Sequence, residues 1–207
     1  RGLWNGNYAH DGEYYKFPKS TSTPKPIQSS GPPIWIAARD PNSHEFAVEN
    51  NCNVQVTPLW QDYEEVEVLI TRFREAQTKC QNQYQSKIML LQHTFVSKTE
   101  DELEHAAKLF SKFYSHFGAW FKNERPVDQA LMKKLSDDEL KALEMYSPAI
   151  MKNNLAIGNS MEVTDRLKKY ETLGYDEFAY WIDSGMSFEM KKASLERFIN
   201  EVMPAFH

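Results

Sequence analysis

From Ile34 onward, short apolar runs alternate with longer amphipathic stretches that open on capping residues. This alternation constrains the fold more than any other feature. "IWIAA" (34–38) lies between Pro32-Pro33 and Asp40-Pro41 and reads as a strand buried on both faces. Asn42 with Glu45 three residues on resembles a capping box opening the helix "SHEFAVENN". "VQVT" is the next strand, and Asp62 with Glu65 repeats the cap before "YEEVEVLITRFREAQTKC". "IMLLQHTFV" is the third strand, followed by Thr99 and Glu102 at the head of a long helix. Ser136 with Glu139 and Asn159 with Glu162 open two more helices, the second ending at Gly174. "EFAYWI" is the last strand, and Ser187 opens the closing helix.

Strands that alternate with helices build βαβ units and a parallel sheet. Four strands are too few to close an eight-stranded barrel. The stretch 100–154 is too long for one crossover and reads as a helical insertion before the last strand. Residues 1–33 are punctuated by Gly, Asn, Asp and Pro and show no helical period, so they read as an extended excursion. "GEYYKF" is the one candidate strand within it. The chain opens on RGLWNG without an initiator methionine and reads as the middle of something longer.

A chain of 207 residues can bury a sizeable core. Its formal charge of −5 argues against a nucleic-acid binder, which presents a strongly basic face. No apolar run is long enough to span a bilayer. Two widely spaced cysteines, Cys52 and Cys80, suit a reducing cytoplasm.

In parallel α/β folds, ligands gather at the carboxyl ends of the strands. That singles out four loops: Arg39–Ser43, Thr57–Gln61, Ser97–Thr99 and Asp183–Met186. In the first, amides at a helix amino end with Arg39 and Ser43 suit a phosphate, although Asp40 opposes it. The alternative is a capped helix that binds nothing. In the second, Thr57 and Trp60 could line a flat ring; otherwise Trp60 packs on the rim. In the fourth, Asp183 could act as an acid or simply cap a turn. Phe110, Phe113, Tyr114, Phe117, Trp120 and Phe121 recur at helical spacing and mark a core-covering face or the wall of an apolar pocket. His93 reads as a hydrogen-bonded core histidine. The six histidines show no metal-site spacing, and no nucleophile elbow, phosphate loop or Gly-rich dinucleotide fingerprint is present.

Three segments add a resemblance. "TPKPIQSSGPPIWIAARDPNSHEFAVENNCNVQVTPLW", "IGNSMEVTDRLKKYETLGYDEFAYWI" and "SLERFINEVMPAF" resemble, in that order, segments of the bacterial luciferase-like flavin-dependent monooxygenases. The resemblance implies the C-terminal half of a (β/α)₈ TIM barrel, occupying residues 34–207. It implies FMN, reduced by a separate flavin reductase, and O₂ as reactants with a small organic substrate. By the same resemblance Arg39, Asp40 and Ser43 hold the flavin phosphate, and Thr57 and Pro58 approach its ring. Asp40 departs from the small polar residue common at its position. Trp60, Trp120 and Asp183 bound the substrate cavity. The family's catalytic histidine comes from the first half of the barrel, so catalytic residues are expected outside this sequence, on another polypeptide or a missing segment. The expected protein is a cytoplasmic homo-oligomer with no nucleic-acid or membrane partner. Open sheet edges would make the isolated chain associate. Two alternatives remain: a deazaflavin-dependent hydride-transfer relative, and a flavin-binding or interaction module without activity.

Overall fold

A computed structural model describes residues 1–29, 31–80 and 84–206; Ser30, inside the amino-terminal excursion, lies outside the described residues. The chain divides into two compact units, residues 1–35 and 36–207. The first contains a helical turn, α1 (Gly2–Asn5), and an antiparallel hairpin of β1 (Tyr8–Asp11) and β2 (Lys16–Ser20). "GEYYKF" is therefore not one strand. The Gly12 amide donates to the Tyr15 carbonyl to form the hairpin turn, and only Lys16 and Phe17 enter β2.

The second unit is an α/β layer. Its elements run β3 (Trp35–Ala37), α2 (Pro41–Glu49), β4 (Asn53–Val56), α3 (Tyr63–Lys79), β5 (Ile88–Val96) and α4 (Glu100–Phe121). A two-residue hairpin, β6 (Val127–Asp128) and β7 (Leu131–Met132), precedes α5 (Asp137–Ala142) and α6 (Pro148–Asn154). Then come β8 (Ala156–Gly158), α7 (Ser160–Leu173), β9 (Glu177–Trp181) and α8 (Phe188–Arg197). A wide π-helical turn at Phe198–Val202 and a short 3₁₀ segment, Met203–Phe206, replace the end of the expected closing helix.

Three hydrogen bonds sort the partners of β5. On one edge, the Lys87 carbonyl accepts from the Val54 amide at 2.9 Å, and the Ser97 amide donates to the Gly158 carbonyl at 2.8 Å. On the other edge, the Ile88 carbonyl accepts from the Asp176 amide at 3.0 Å. Hence β4 and β8 share one edge, β4 beside Ile88–Leu90 and β8 beside Thr94–Val96, while β9 takes the opposite edge. All three pairings are parallel. With β3 next to β4, the lateral order β3, β4, β5, β9 follows the chain. A sheet that adds each strand beside the last, in one direction, is an arc of a barrel; a doubly wound sheet reverses direction midway.

Three expectations need correction. The sheet holds a fifth strand, β8, which sits between the insertion and the last strand. Three residues are too few to carry a period, so only pairing with β5 reveals it. The insertion also carries the β6–β7 hairpin and is not wholly helical. Nor is "IWIAA" buried on both faces: Trp35 and Ile36 are half-buried and Ala37 is exposed, because β3 is flanked in the sheet by β4 alone.

Capping decides where the helices start. Reciprocal boxes form at Ser136/Glu139 and Asn159/Glu162. Gly158 makes the second possible, since a Cβ there would meet the Glu162 carboxylate at 2.5 Å, and its φ of +154° suits only glycine. Gly174, at φ +96°, closes α7 in the left-handed conformation. The expected Asn42 cap does not form. Asp40 caps α2, with Pro41 as the first helical residue, where its missing N–H is no loss. Asp62 caps α3 through the Glu64 amide, leaving Glu65 outside any box.

Helices cover one face of the sheet. Ile88, Leu90 and Gln92 lie on that face, where the Tyr170 hydroxyl of α7 donates to Gln92 Oε1 at 2.9 Å. Gln92 Nε2 donates to the Asn154 carbonyl at the same distance, so this buried amide is paired on both sides. The alternate residues Met89 and Leu91 are only half-buried. Among the described residues, no helix is long and apolar enough to cross a membrane.

Candidate active site

The carboxyl ends of β3, β4, β5 and β9 bring the expected loops to one end of the arc. The first loop is tied to the second. Arg39 Nη2 donates to Gln61 Oε1 at 2.5 Å and to Glu65 Oε1 at 2.7 Å. Glu65, left out of the expected capping box, thus holds the guanidinium. The Arg39 carbonyl accepts from Arg72 Nη1 at 2.8 Å, which fixes the backbone where β3 turns into α2.

Asp40 occupies the donors at the head of α2. Its carboxylate accepts from the Ser43 amide at 3.0 Å and from the Ser43 hydroxyl at 2.5 Å. These bonds, the hydroxyl first, hold the Asp40 carboxyl below its usual range. A phosphate finds the right kinds of donor here: a guanidinium, a hydroxyl and helix-end amides. It meets them already engaged by two carboxylates, Asp40 and Glu65.

In the second loop, the Thr57 hydroxyl accepts from the Leu59 amide at 3.2 Å, and Leu59 takes a left-handed φ of +57°. Pro58 is buried between them. This tight turn throws Trp60 against α4. Its ring meets Tyr146, Tyr114 and Phe117 edge-on at centroid distances of 5.1, 5.8 and 6.4 Å. The Trp60 carbonyl accepts from Asn154 Nδ2 at 2.8 Å. Trp60 therefore locks the sheet rim to the insertion.

At the end of β5 lies a polar unit that sequence reasoning placed only as a core histidine. His93 is fully buried. Its Nε2–H donates to the Asp183 carbonyl at 2.8 Å, which leaves Nδ1 to accept from the Tyr114 hydroxyl at 2.6 Å. Trp181 stacks on the imidazole at 3.8 Å and 16°. Burial pulls the His93 pKa down to about 4, against the opposing pull of Asp183, so the ring is neutral with one fixed tautomer. Asp183 thus contributes its backbone to the interior. Its carboxylate faces solvent, 3.2 Å from Lys191, and that ammonium lowers its pKa.

Beside this unit, between α4, the β6–β7 segment and the turn after β9, lies a cavity of about 530 Å³. Phe113, Phe117 and Trp120 form its apolar walls, and Ser184 and Gly185 its floor. The structure therefore divides the expected residues. Trp120 lines the cavity, and Trp60 backs it through Phe117. Arg39, Asp40, Ser43, Thr57 and Pro58 form a separate group at the neighbouring strand ends. Among the described residues, no three His, Cys, Asp or Glu side chains form a metal cluster.

Comparison with known proteins accords with this architecture. The chain is 57% identical over 206 residues to the oxygenase component of the flavin-dependent trigonelline monooxygenase of Acinetobacter baylyi. That match covers all of this chain and 57% of the relative, so the chain spans less than two thirds of its length. Among solved structures, monooxygenase RslO1 from Streptomyces bottropensis aligns with a TM-score of 0.70 at 18% identity, covering 99% of this chain and 58% of that one. The oxygenating constituent of 3,6-diketocamphane monooxygenase from Pseudomonas putida, solved with FMN, aligns at 0.65 and 13% identity, covering 99% and 60%. The family profile described as luciferase-like monooxygenase matches residues 1–177. The chain belongs to the luciferase-like monooxygenase family.

Proposed function

We propose that the chain is part of the oxygenase component of a two-component flavin-dependent monooxygenase, supplying the second half of its barrel. The carrying observation is the cavity of about 530 Å³ at the carboxyl end of β9, in a chain 57% identical to a protein named as such a component. A cavity of this size accommodates a small organic molecule. The half-buried face carrying Met89 and Leu91 supports the reading that further barrel strands cover it.

Reduced FMN, when bound, supplies the two electrons with which one atom of O₂ enters the substrate and the other leaves as water. This chain's residues position and enclose. Arg39 and Ser43 are the groups that would hold the flavin phosphate, and Thr57 and Pro58 those that would approach its ring. Binding there requires Asp40 to release Ser43, and Glu65 to share Arg39. Phe113, Phe117 and Trp120 give the cavity its apolar wall. His93, neutral and doubly bonded, fixes the turn at Asp183 and Ser184. The flavin is supplied by a separate reductase in a reducing cytoplasm, a setting that suits Cys52 and Cys80, which form no disulfide.

Anaerobic titration with reduced FMN, followed by air and trigonelline, tests the reading. Binding of reduced FMN, with oxygenated product once the rest of the barrel is supplied, supports it. Substrate oxidation by oxidised deazaflavin, or substrate reduction by reduced deazaflavin, without O₂ favours the hydride-transfer alternative. A chain that ignores every flavin favours the inactive module.

A further inference from the structure

We infer that the cavity beside α4 is the recognition site for an anionic aromatic molecule, its ring lying between Phe113, Phe117 and Trp120 and its negative group held by Lys112 and Lys134. This deepens the monooxygenase reading by naming a substrate class, and rests on it only for calling the ligand a substrate.

Four observations carry the inference. The walls are flat and aromatic: the Phe113 and Phe117 rings are stacked at 6.0 Å and 12°, and Trp120 joins Phe117 at 5.9 Å. Trp120 remains 59% exposed, so its indole face is open to a packing partner. The charge at the cavity has one sign. Lys112 and Lys134 both line it, no Asp or Glu does, and neither lysine has a carboxylate within ion-pair distance among the described residues. Lastly, the Ser184 hydroxyl on the cavity floor is buried, with the residue only 3% exposed, and has no hydrogen-bond partner. A polar ligand atom that drew this hydroxyl toward the cavity would give it the partner it lacks.

The two lysines are 22 positions apart and come together through His116. Its Nδ1–H donates to the Lys112 carbonyl at 2.8 Å, and its Nε2 accepts from the Leu135 amide at 3.2 Å. Both ring nitrogens are thereby engaged by backbone groups. His116 is a positioning residue that pins the segment carrying Lys134 against the turn of α4 carrying Lys112. The arrangement selects charge and flatness together: an aromatic anion gains the ring walls and both ammonium groups, while a neutral ring or an aliphatic anion gains only one.

Calorimetric titration of the full chain, with no flavin present, tests this with benzoate, benzamide and cyclohexanecarboxylate. Benzoate is expected to bind about tenfold or more tightly than either analogue. In the double variant Lys112→Gln/Lys134→Gln, both substitutions being on exposed side chains, benzoate affinity should fall to that of benzamide while benzamide binding is unchanged. Lys168→Gln, on α7, should leave all three unaltered. Equal binding of benzoate and benzamide, no benzoate binding, or an equal loss in Lys168→Gln overturns the inference. A parallel FMN titration separates the two readings. Intact flavin binding with no benzoate preference removes only the substrate class, and benzoate recognition without flavin binding removes only the monooxygenase.

Discussion

The Tyr114 hydroxyl donates to His93 Nδ1 at 2.6 Å, joining the insertion helix to the centre of the sheet through one buried imidazole. Because the opposite nitrogen donates to the Asp183 carbonyl, the same ring also fixes the turn after the last strand. Three segments far apart in sequence meet on a group that must stay neutral.

That requirement makes stability depend on pH. The His93 pKa lies near 4 when folded and near its ordinary value of 6.5 when unfolded. Below about pH 6.5 the unfolded chain takes up a proton that the folded chain refuses, so stability is full above that pH and is lost as pH falls toward 4. The loss from this group is about 3 kcal/mol. His44, buried in α2, contributes with the same sign. Urea midpoints between pH 7 and 4 should fall, and His93→Gln should flatten the slope.

Tyr114→Phe removes the donor and leaves His93 Nδ1 buried without a partner. Chemical denaturation should show a loss of about 1–3 kcal/mol, with the near-ultraviolet signal of the Trp181 stack reduced.

Ser194 supports the end of β5. Its hydroxyl accepts from the buried Val96 amide at 2.7 Å and lies 2.7 Å from the Tyr180 hydroxyl. The β5–β9 pairing ends at His93, short of the Val96 amide. Ser194→Ala should destabilise by about 1–3 kcal/mol in a urea titration, more than the roughly 1 kcal/mol expected for Asn159→Ala at the α7 cap.

The phosphate assignment predicts opposite effects at adjacent residues. Arg39→Ala should weaken FMN binding about tenfold or more, the loss of a charged hydrogen bond worth about 1.5–3 kcal/mol. Asp40→Asn keeps a good helix cap, removes the opposing charge and should tighten binding. Fluorescence titration of both variants checks the pair; no change in either removes the phosphate from this loop.

How much of this the sequence discloses follows from the range of each interaction. "IMLLQHTFV" coincides with β5 because a bounded apolar run of that length has few other uses. The boxes at Ser136 and Asn159 form because each needs only four consecutive residues. The Asn42 cap fails locally: Asp40 before Pro41 is the stronger start. Glu65 is misread because its partner, Arg39, lies 26 residues away. β8 exists only through its neighbour, β5. The same holds for the site. Trp120 is legible from helical spacing, whereas Lys134 joins the cavity only through the His116 bond to Leu135.

Isotope transfer from heavy O₂ is the most direct test of the monooxygenase reading. The complete barrel containing this chain, loaded with reduced FMN and given trigonelline, should place one labelled oxygen atom in the organic product for each substrate consumed. Reduced FMN that is oxidised while the organic product carries no label would contradict the account.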